Sequence, residues 1–181
     1  MRQIIKDFIK ICSETLPITE PIYDFGSLQT PKKQEGWANL RPYFVGKKYV
    51  GADIRKGVGV DVILDLHNIN LKSGSVGTAL VMDTIEHVEF IRKAINEVYR
   101  VLKENGILIM SSHMNFAIHN FPNDYWRFTP EGFKSLLKNF EMSFVDFKGK
   151  ENFPHTVIGI GFKNKINIDN FIKGFKKWKL T

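Results

Sequence analysis

The sequence is short of the features that mark whole classes of protein. It holds one cysteine, Cys12, in 181 residues, which excludes a disulfide framework and fits a reducing compartment. No apolar run approaches the roughly 20 residues that a helix needs to cross a bilayer. The opening Met1-Arg-Gln-Ile-Ile-Lys-Asp-Phe scatters charge among its apolar residues, unlike a signal peptide. A cytoplasmic protein is therefore expected. Arginine is scarce: the formal charge of +7, from 26 basic and 19 acidic residues, rests mostly on lysine. Phosphate and base recognition favours the Arg fork, so no nucleic-acid partner is expected. Internal repeats and low-complexity segments are also missing, which argues against solenoids and fibres.

What is present is an ordinary globular balance, 43% hydrophobic and 25% charged, in a chain long enough to bury roughly two-thirds of its unfolded surface without disulfide or metal. One domain over residues 1–181 is expected. Ile4, Ile5, Phe8, Ile9, Cys12 and Leu16 recur at helical spacing, predicting an opening helix over about 1–16. Short apolar runs predict strands at Ile22 to Phe25, Lys48 to Ala52, Asp61 to Leu64, Val76 to Met82 and Ile107 to Met110. Residues 27–36 read as loop, and Trp37 to Phe44 as a short helix interrupted by Pro42. Ile91, Ala94, Ile95, Val98, Val101 and Leu102 form one face of a long helix, with Glu86-His87 at its acidic start and Asn105-Gly106 as its left-handed cap. After a polar and aromatic loop, residues 111–128, Thr129-Pro130-Glu131 supplies a hydroxyl cap, a first-position proline and an acid for the next helix. Its buried face is Phe133, Leu136, Leu137 and Phe140. Strands at Met142 to Phe147 and Thr156 to Phe162 follow, then an amphipathic Lys-rich helix over about 167–179.

Strands alternating with helices, then closing on a strand pair, predict an α/β fold. We expect a Rossmann-like doubly wound, mainly parallel sheet of about seven strands, the last antiparallel, with helices on both faces. In such sheets ligands bind at the carboxyl ends of the strands. Four strand ends here are polar: Asp24-Phe-Gly26-Ser27, Asp53, Asp65 and Asp83. A carboxylate after the second strand suits the two hydroxyls of a ribose, since it accepts two hydrogen bonds at once. Gly26 permits close backbone approach to a ligand. Asp65 can take an exocyclic amine while Leu66 packs on an adenine ring.

These stretches resemble the class I S-adenosylmethionine-dependent methyltransferases, in particular the compact type 11 branch found among bacterial enzymes. The resemblance is carried by Ile22-Tyr-Asp-Phe-Gly-Ser27, Tyr49-Val-Gly-Ala-Asp53 and Val81-Met-Asp-Thr-Ile-Glu-His-Val88. It continues through Glu97-Val-Tyr-Arg-Val-Leu-Lys103, Asn105-Gly-Ile-Leu-Ile109 and Asn123-Asp-Tyr-Trp-Arg-Phe-Thr-Pro-Glu-Gly132. It implies a methyl transfer to a small polar or glycan-type acceptor, with S-adenosyl-L-methionine as cofactor. It also implies that Gly26 and Ser27 lie beneath the methionine part and that Asp53 holds the ribose, with Asp24 and Ile54 also binding the cofactor. Asp65 and Leu66 would lie by the adenine, and Asp83 at the edge of the site. Of the family's alternating glycines in the first motif, Gly26-Ser-Leu-Gln-Thr-Pro31 keeps the first only. That departure leaves a catalytically silent binding domain as one alternative. A nicotinamide-dependent oxidoreductase is the other, though the pyrophosphate-binding glycine fingerprint is lacking.

A hydroxyl acceptor needs a base as its new bond forms, and the 111–128 loop offers His113, His119 and Asp124. Asn115, Asn123 and Arg127 can hydrogen-bond an acceptor, and Tyr125 and Trp126 offer flat faces for a sugar or ring. No metal is expected, because the adjacent Glu86 and His87 cannot both face one ion from a regular helix and no second ligand cluster has metal spacing. The final helix sets Lys173, Lys176, Lys177 and Lys179 against Phe171, Phe175 and Trp178. That pattern serves packing on its own domain or a homodimer partner, or contact with an anionic membrane surface.

Overall fold

The computed structural model describes residues 3–29, 38–119 and 122–180. Residues 30–36 of the expected loop, Trp37, Met1, Arg2, Asn120, Phe121 and Thr181 lie outside the described residues. In chain order the elements are α1 (Gln3–Thr15), β1 (Ile22–Phe25), a 3₁₀ turn (Arg41–Phe44), β2 (Tyr49–Asp53), β3 (Val62–Ile63) and β4 (Val76–Met82). A second 3₁₀ turn (Ile85–His87), α2 (Ile91–Val101), β5 (Leu102–His113), α3 (Pro130–Leu136), β6 (Met142–Lys150), β7 (Phe153–Phe162) and α4 (Asp169–Leu180) complete it. The strands form one sheet in the order β3-β2-β1-β4-β5-β7-β6. Only β7 runs antiparallel to its neighbours, so the expected mainly parallel, doubly wound sheet is the one observed. Strand order reverses between β1 and β4, which creates the switch point where such sheets bind ligands.

The central strand β4 is buried at all seven positions, and its side chains alternate between two cores. Ala79 and Val81 join Val98, Phe133, Leu137 and Phe140 beneath α2 and α3. Leu80 and Met82 join Phe8, Ile9, Phe171 and Phe175 beneath α1 and α4. The Phe8 ring lies 6.4 Å from those of Phe171 and Phe175 and 5.9 Å from Trp178. The apolar stripe of α4 thus packs on its own domain, the first of the uses expected of it. Among the described residues no helix is long and apolar enough to cross a membrane.

Several local expectations change. The α2 helix stops at Val101 because Leu102 is already extended, φ −66 and ψ 137. Gly106 does not adopt a positive φ, so Asn105-Gly106 is no left-handed cap. These residues belong to an irregular start of β5, where the pairing with β4 jumps from Val76↔Leu102 to Thr78↔Ile107. The helix expected over Trp37 to Phe44 shrinks to one 3₁₀ turn with Pro42 in its first turn, a position where proline costs no hydrogen bond. The third strand shortens at both ends, as Asp61 instead accepts the Gly51 N–H at 2.7 Å and pairs with Arg41. Glu86 and His87 belong to the separate 3₁₀ turn and do not start α2. The α3 start is as read: the Thr129 hydroxyl accepts the Gly132 N–H at 3.1 Å, a cap worth about 1 kcal/mol.

Candidate active site

At the carboxyl ends of β1, β2, β4 and β5 the chain encloses a cavity of about 540 Å³, a volume typical of small-molecule sites. Its first wall comes from the exits of β1 and β2. Gly26 has φ +91, a left-handed conformation that glycine takes at little cost. Its N–H reaches Ala52 O at 2.7 Å. A Cβ placed on it would lie 2.1 Å from Thr84 Oγ1, so the β1 turn and the segment after β4 meet only because position 26 has no side chain. Asp53, the last residue of β2, is 8% exposed and lines the cavity with Ile54. One of its oxygens accepts the Arg55 N–H at 2.9 Å and lies 3.5 Å from Arg55 Nε.

The neighbouring wall holds Asp65 and the buried Leu66. Asp65 Oδ1 accepts the backbone N–H of His67 at 2.8 Å and lies 2.8 Å from His67 Nδ1. His67 Nε2 in turn accepts the N–H of Phe90 at 3.2 Å. These partners place the imidazole proton on Nδ1 and tie the adenine-side loop to the start of α2. Asp83, at the end of β4, holds φ +46, a conformation that costs a non-glycine residue of order 1–3 kcal/mol unless its surroundings impose it. Ser111 does so: its backbone and side-chain oxygens accept the Asp83 N–H at 3.1 and 3.0 Å, and its hydroxyl donates to Asp83 Oδ1 at 2.7 Å.

Another part of the lining is rich in imidazole. His87, His113 and His119 line the cavity with Phe116, Asn123 and Tyr125. His113 ends β5, stacks on Phe116 with ring centroids 4.2 Å apart, and holds Nε2 3.3 Å from Glu86 Oε1. Glu86 is fully buried, and its other oxygen accepts the Ser112 hydroxyl at 2.7 Å. His119 donates its backbone N–H to Asp124 Oδ2 at 2.7 Å, and its Nδ1 lies 3.2 Å from that oxygen and 3.1 Å from Ala117 O. Two acceptors beside Nδ1 put its proton there and leave the lone pair on Nε2. Burial pushes the His87 pKa down, so that this ring, edge-on to His119 at 4.8 Å, is neutral at pH 7.

Of the residues read from the sequence, the structure brings Gly26, Asp53, Ile54, Asp65, Leu66, Asp83, His113, His119, Asn123 and Tyr125 to one cavity. Six others do not line it. Strand alternation turns Asp24 to the face opposite Phe25, where its carboxylate accepts the Tyr49 hydroxyl at 2.6 Å and burial pushes its pKa up to about 6. Ser27 turns the same way and donates to Ala52 O at 3.3 Å. Asp124 is no free base: Arg127 grips it through two bonds of 2.6 and 2.7 Å and holds its pKa far below the ordinary carboxylate range. Arg127 spends its remaining donors on carbonyls of Phe116, Ala117 and Trp126. The Trp126 indole donates to Val88 O at 3.0 Å, and Asn115 is exposed outside the cavity.

His67, Arg55, Thr84 and Phe116 also line the cavity, and no spacing in the sequence marks them. His87 was visible beside Glu86 but assigned to a regular helix. Moreover, Glu86, His113 and His119 offer ligand atoms within 4.8 Å of one another. The members of this grouping come from three different segments, so no local spacing reveals it.

Residues 39–110 match the family described as a methyltransferase domain. No curated protein matches the chain. Among solved structures it is similar to a Thermotoga maritima S-adenosylmethionine-dependent methyltransferase described as a possible histamine N-methyltransferase. That match has 17% identity and a TM-score of 0.60, covering 91% of this chain and 100% of the other. A Burkholderia thailandensis 1,6-didemethyltoxoflavin N1-methyltransferase, solved with that compound and S-adenosylhomocysteine, is 12% identical with a TM-score of 0.66, covering 90% and 78%. An Archaeoglobus fulgidus S-adenosylmethionine-dependent methyltransferase is 13% identical with a TM-score of 0.65, covering 90% and 94%. At these identities the likeness is one of fold.

Proposed function

We infer that this chain, a class I S-adenosylmethionine-dependent methyltransferase of the type 11 family, transfers the methyl group to a small polar or glycan-type acceptor seated against His87, His113, His119 and Tyr125. The observation that carries this reading is one cavity lined by two chemically different groups of side chains. Asp53, Asp65 and Leu66 belong to one, and His87, His113 and His119 to the other. The first group fits the cofactor. Asp53 supplies a nearly buried acceptor for ribose hydroxyls, Leu66 and Ala52 supply apolar surface, and Gly26, with no side chain, lets Thr84 pack against the β1 turn at the cavity wall. S-adenosylmethionine, when bound, supplies a methyl group on a sulfonium, already a good leaving group.

The chain then has three tasks. It aligns the acceptor with the methyl carbon, and such positioning is the larger part of catalysis for a displacement of this kind. Asp83 and Thr84 also line the cavity. It limits water through Phe116 and Tyr125, whose rings wall the acceptor end. It also takes up a proton when the acceptor is a hydroxyl. The lone pair on His119 Nε2 does this, while Asp124, held ionised by Arg127, fixes the ring's tautomer and stabilises its protonated form.

Calorimetry with S-adenosylmethionine, S-adenosylhomocysteine and NAD tests the cofactor end, with binding of the first two and not the third expected. A panel of hydroxylated small molecules and sugar precursors with a labelled methyl donor tests the acceptor end. In the His119→Ala variant turnover is expected to fall about 10²–10⁴-fold, with S-adenosylhomocysteine affinity unchanged within a factor of three or so. Unchanged turnover removes His119 from the chemistry.

A further inference from the structure

We infer that Glu86, His113 and His119 form a binding site for a first-row divalent cation, of the zinc or manganese type, at the acceptor end of the cavity. One ligand atom from each lies within 4.8 Å of the others. In a shell of nitrogen and oxygen ligands such atoms sit about 3–4 Å apart, so small side-chain movements close the site. Two imidazoles and one carboxylate on one side of an ion, the other positions open, is a donor set suited to these metals.

The surroundings of the three groups point the same way. Glu86 is fully buried, and burying a carboxylate is costly unless positive charge compensates it. The Ser112 hydroxyl holds Oε2 at 2.7 Å and so fixes Oε1 toward His113 Nε2, 3.3 Å away. Behind His119 stands Asp124, 3.2 Å from Nδ1 and itself locked to Arg127. A carboxylate on the far nitrogen of a histidine fixes the tautomer and strengthens the near nitrogen as a ligand, the usual outer partner of a metal-bound imidazole. The three ligands come from the 3₁₀ turn after β4, the end of β5 and the loop beyond it. A cation would therefore join three segments that close the acceptor end.

The ion's binding does not depend on the methyl-transfer reading, but its role rests on that reading. An ion here would coordinate the acceptor oxygen and raise its acidity: the hydroxyl proton would pass to solvent water, the oxygen would bond the methyl carbon as the carbon–sulfur bond breaks, and His119 would serve as ligand. Without the ion His119 is the base. The site then favours acceptors that chelate, with adjacent hydroxyls or a hydroxyl beside a carboxylate.

The test uses the full chain stripped with chelator. Zn²⁺ is followed by calorimetry and Co²⁺ by its visible absorption, with S-adenosylhomocysteine binding measured on the same samples. One ion per chain is expected, with affinity at least tenfold weaker in Glu86→Gln and in His119→Ala. Asp124→Asn is expected to weaken it about 10–100-fold, while His155→Ala at the start of β7 leaves it unchanged. Because Glu86 is buried, the half-exposed His119 provides the variant least prone to unfolding, and its S-adenosylhomocysteine affinity reports an intact fold. Absence of ion binding in a protein that binds S-adenosylhomocysteine overturns the inference and spares the methyltransferase reading. Ion binding untouched by His119→Ala and Asp124→Asn overturns it equally. Ion binding lost in those variants supports it even if no S-adenosylhomocysteine binds.

Discussion

The sharpest perturbation is Asp53→Asn, which keeps the shape of the side chain and removes its charge. In the native chain Asp53 Oδ1 accepts the Arg55 N–H at 2.9 Å. An asparagine satisfies that donor with its one carbonyl oxygen and must then present its amide nitrogen where the carboxylate offered Oδ2. A donor would face the donor hydroxyls of the ribose. A hydrogen bond to a charged group contributes about 1.5–3 kcal/mol, so the dissociation constant for S-adenosylhomocysteine should weaken about 10- to 100-fold. Stability should change little, since the bond to Arg55 survives. Titration calorimetry reads the affinity and urea unfolding reads the stability. Asp24→Asn is the matched control. Asp24 lies on the other face, bonded to Tyr49, and its loss should leave affinity within about twofold. Were Asp53→Asn to bind normally while Asp24→Asn did not, the cradle would have been placed on the wrong side of β1.

Two further outcomes follow from single observations. Burial lifts the Asp24 pKa from 3.8 to about 6, whereas the unfolded chain keeps the lower value. The folded state therefore holds this proton more firmly, and the associated stability is complete below pH 4 and is lost as pH rises through about 6. The loss amounts to about 3 kcal/mol. Asp24→Asn should thus be more stable than the native chain at pH 8 by up to that amount and no more stable at pH 4. An equal gain at both pH values in urea unfolding would refute the assignment. Gly26→Ala puts a Cβ 2.1 Å from Thr84 Oγ1 at a φ of +91. It should destabilise by at least about 1–3 kcal/mol, and Thr84→Gly in the same chain should restore the part due to collision. No restoration in the double variant would mean that strain alone sets the cost.

Strand positions were readable in this sequence because buried parallel strands are short unbroken apolar runs, as at Ile22 to Phe25 and Val76 to Met82. The acids that end them were readable for the same reason. Reading failed where a tertiary contact decided the outcome. Nothing local shows that Asp24, two residues before Gly26, faces away from the cavity that Gly26 lines. Alternation sets Asp24 opposite Phe25, which lines the cavity, and Gly26 escapes the period of two because the strand has ended and its φ is +91. The register jump between β4 and β5 likewise converts Asn105-Gly106 from a helix cap into part of a strand. His67 entered the site through bonds to Asp65 and to Phe90, a link across 23 residues that no spacing announces.

The stretch Asn123 to Phe128 carries the deepest lesson about this site. Its aromatic and charged residues read as a surface for gripping the acceptor. In the fold much of its hydrogen bonding goes to the protein itself, although Tyr125 and Trp126 stay exposed. Tyr125 and Trp126 donate their backbone N–H groups to Glu86 O at 2.9 and 3.3 Å, the Trp126 indole bonds Val88 O, and Arg127 and Asp124 clamp each other. The segment is a brace that fastens the loop to the 3₁₀ turn after β4. Its effect is to hold His119 beside His113 and Glu86 through groups that never meet the acceptor. On the proposed reading, selectivity for the acceptor rests with the side chains that line the cavity here, His87, His113, His119, Asn123 and Tyr125. Substituting Trp126 or Arg127 should accordingly alter turnover by misplacing His119, not by weakening acceptor contacts.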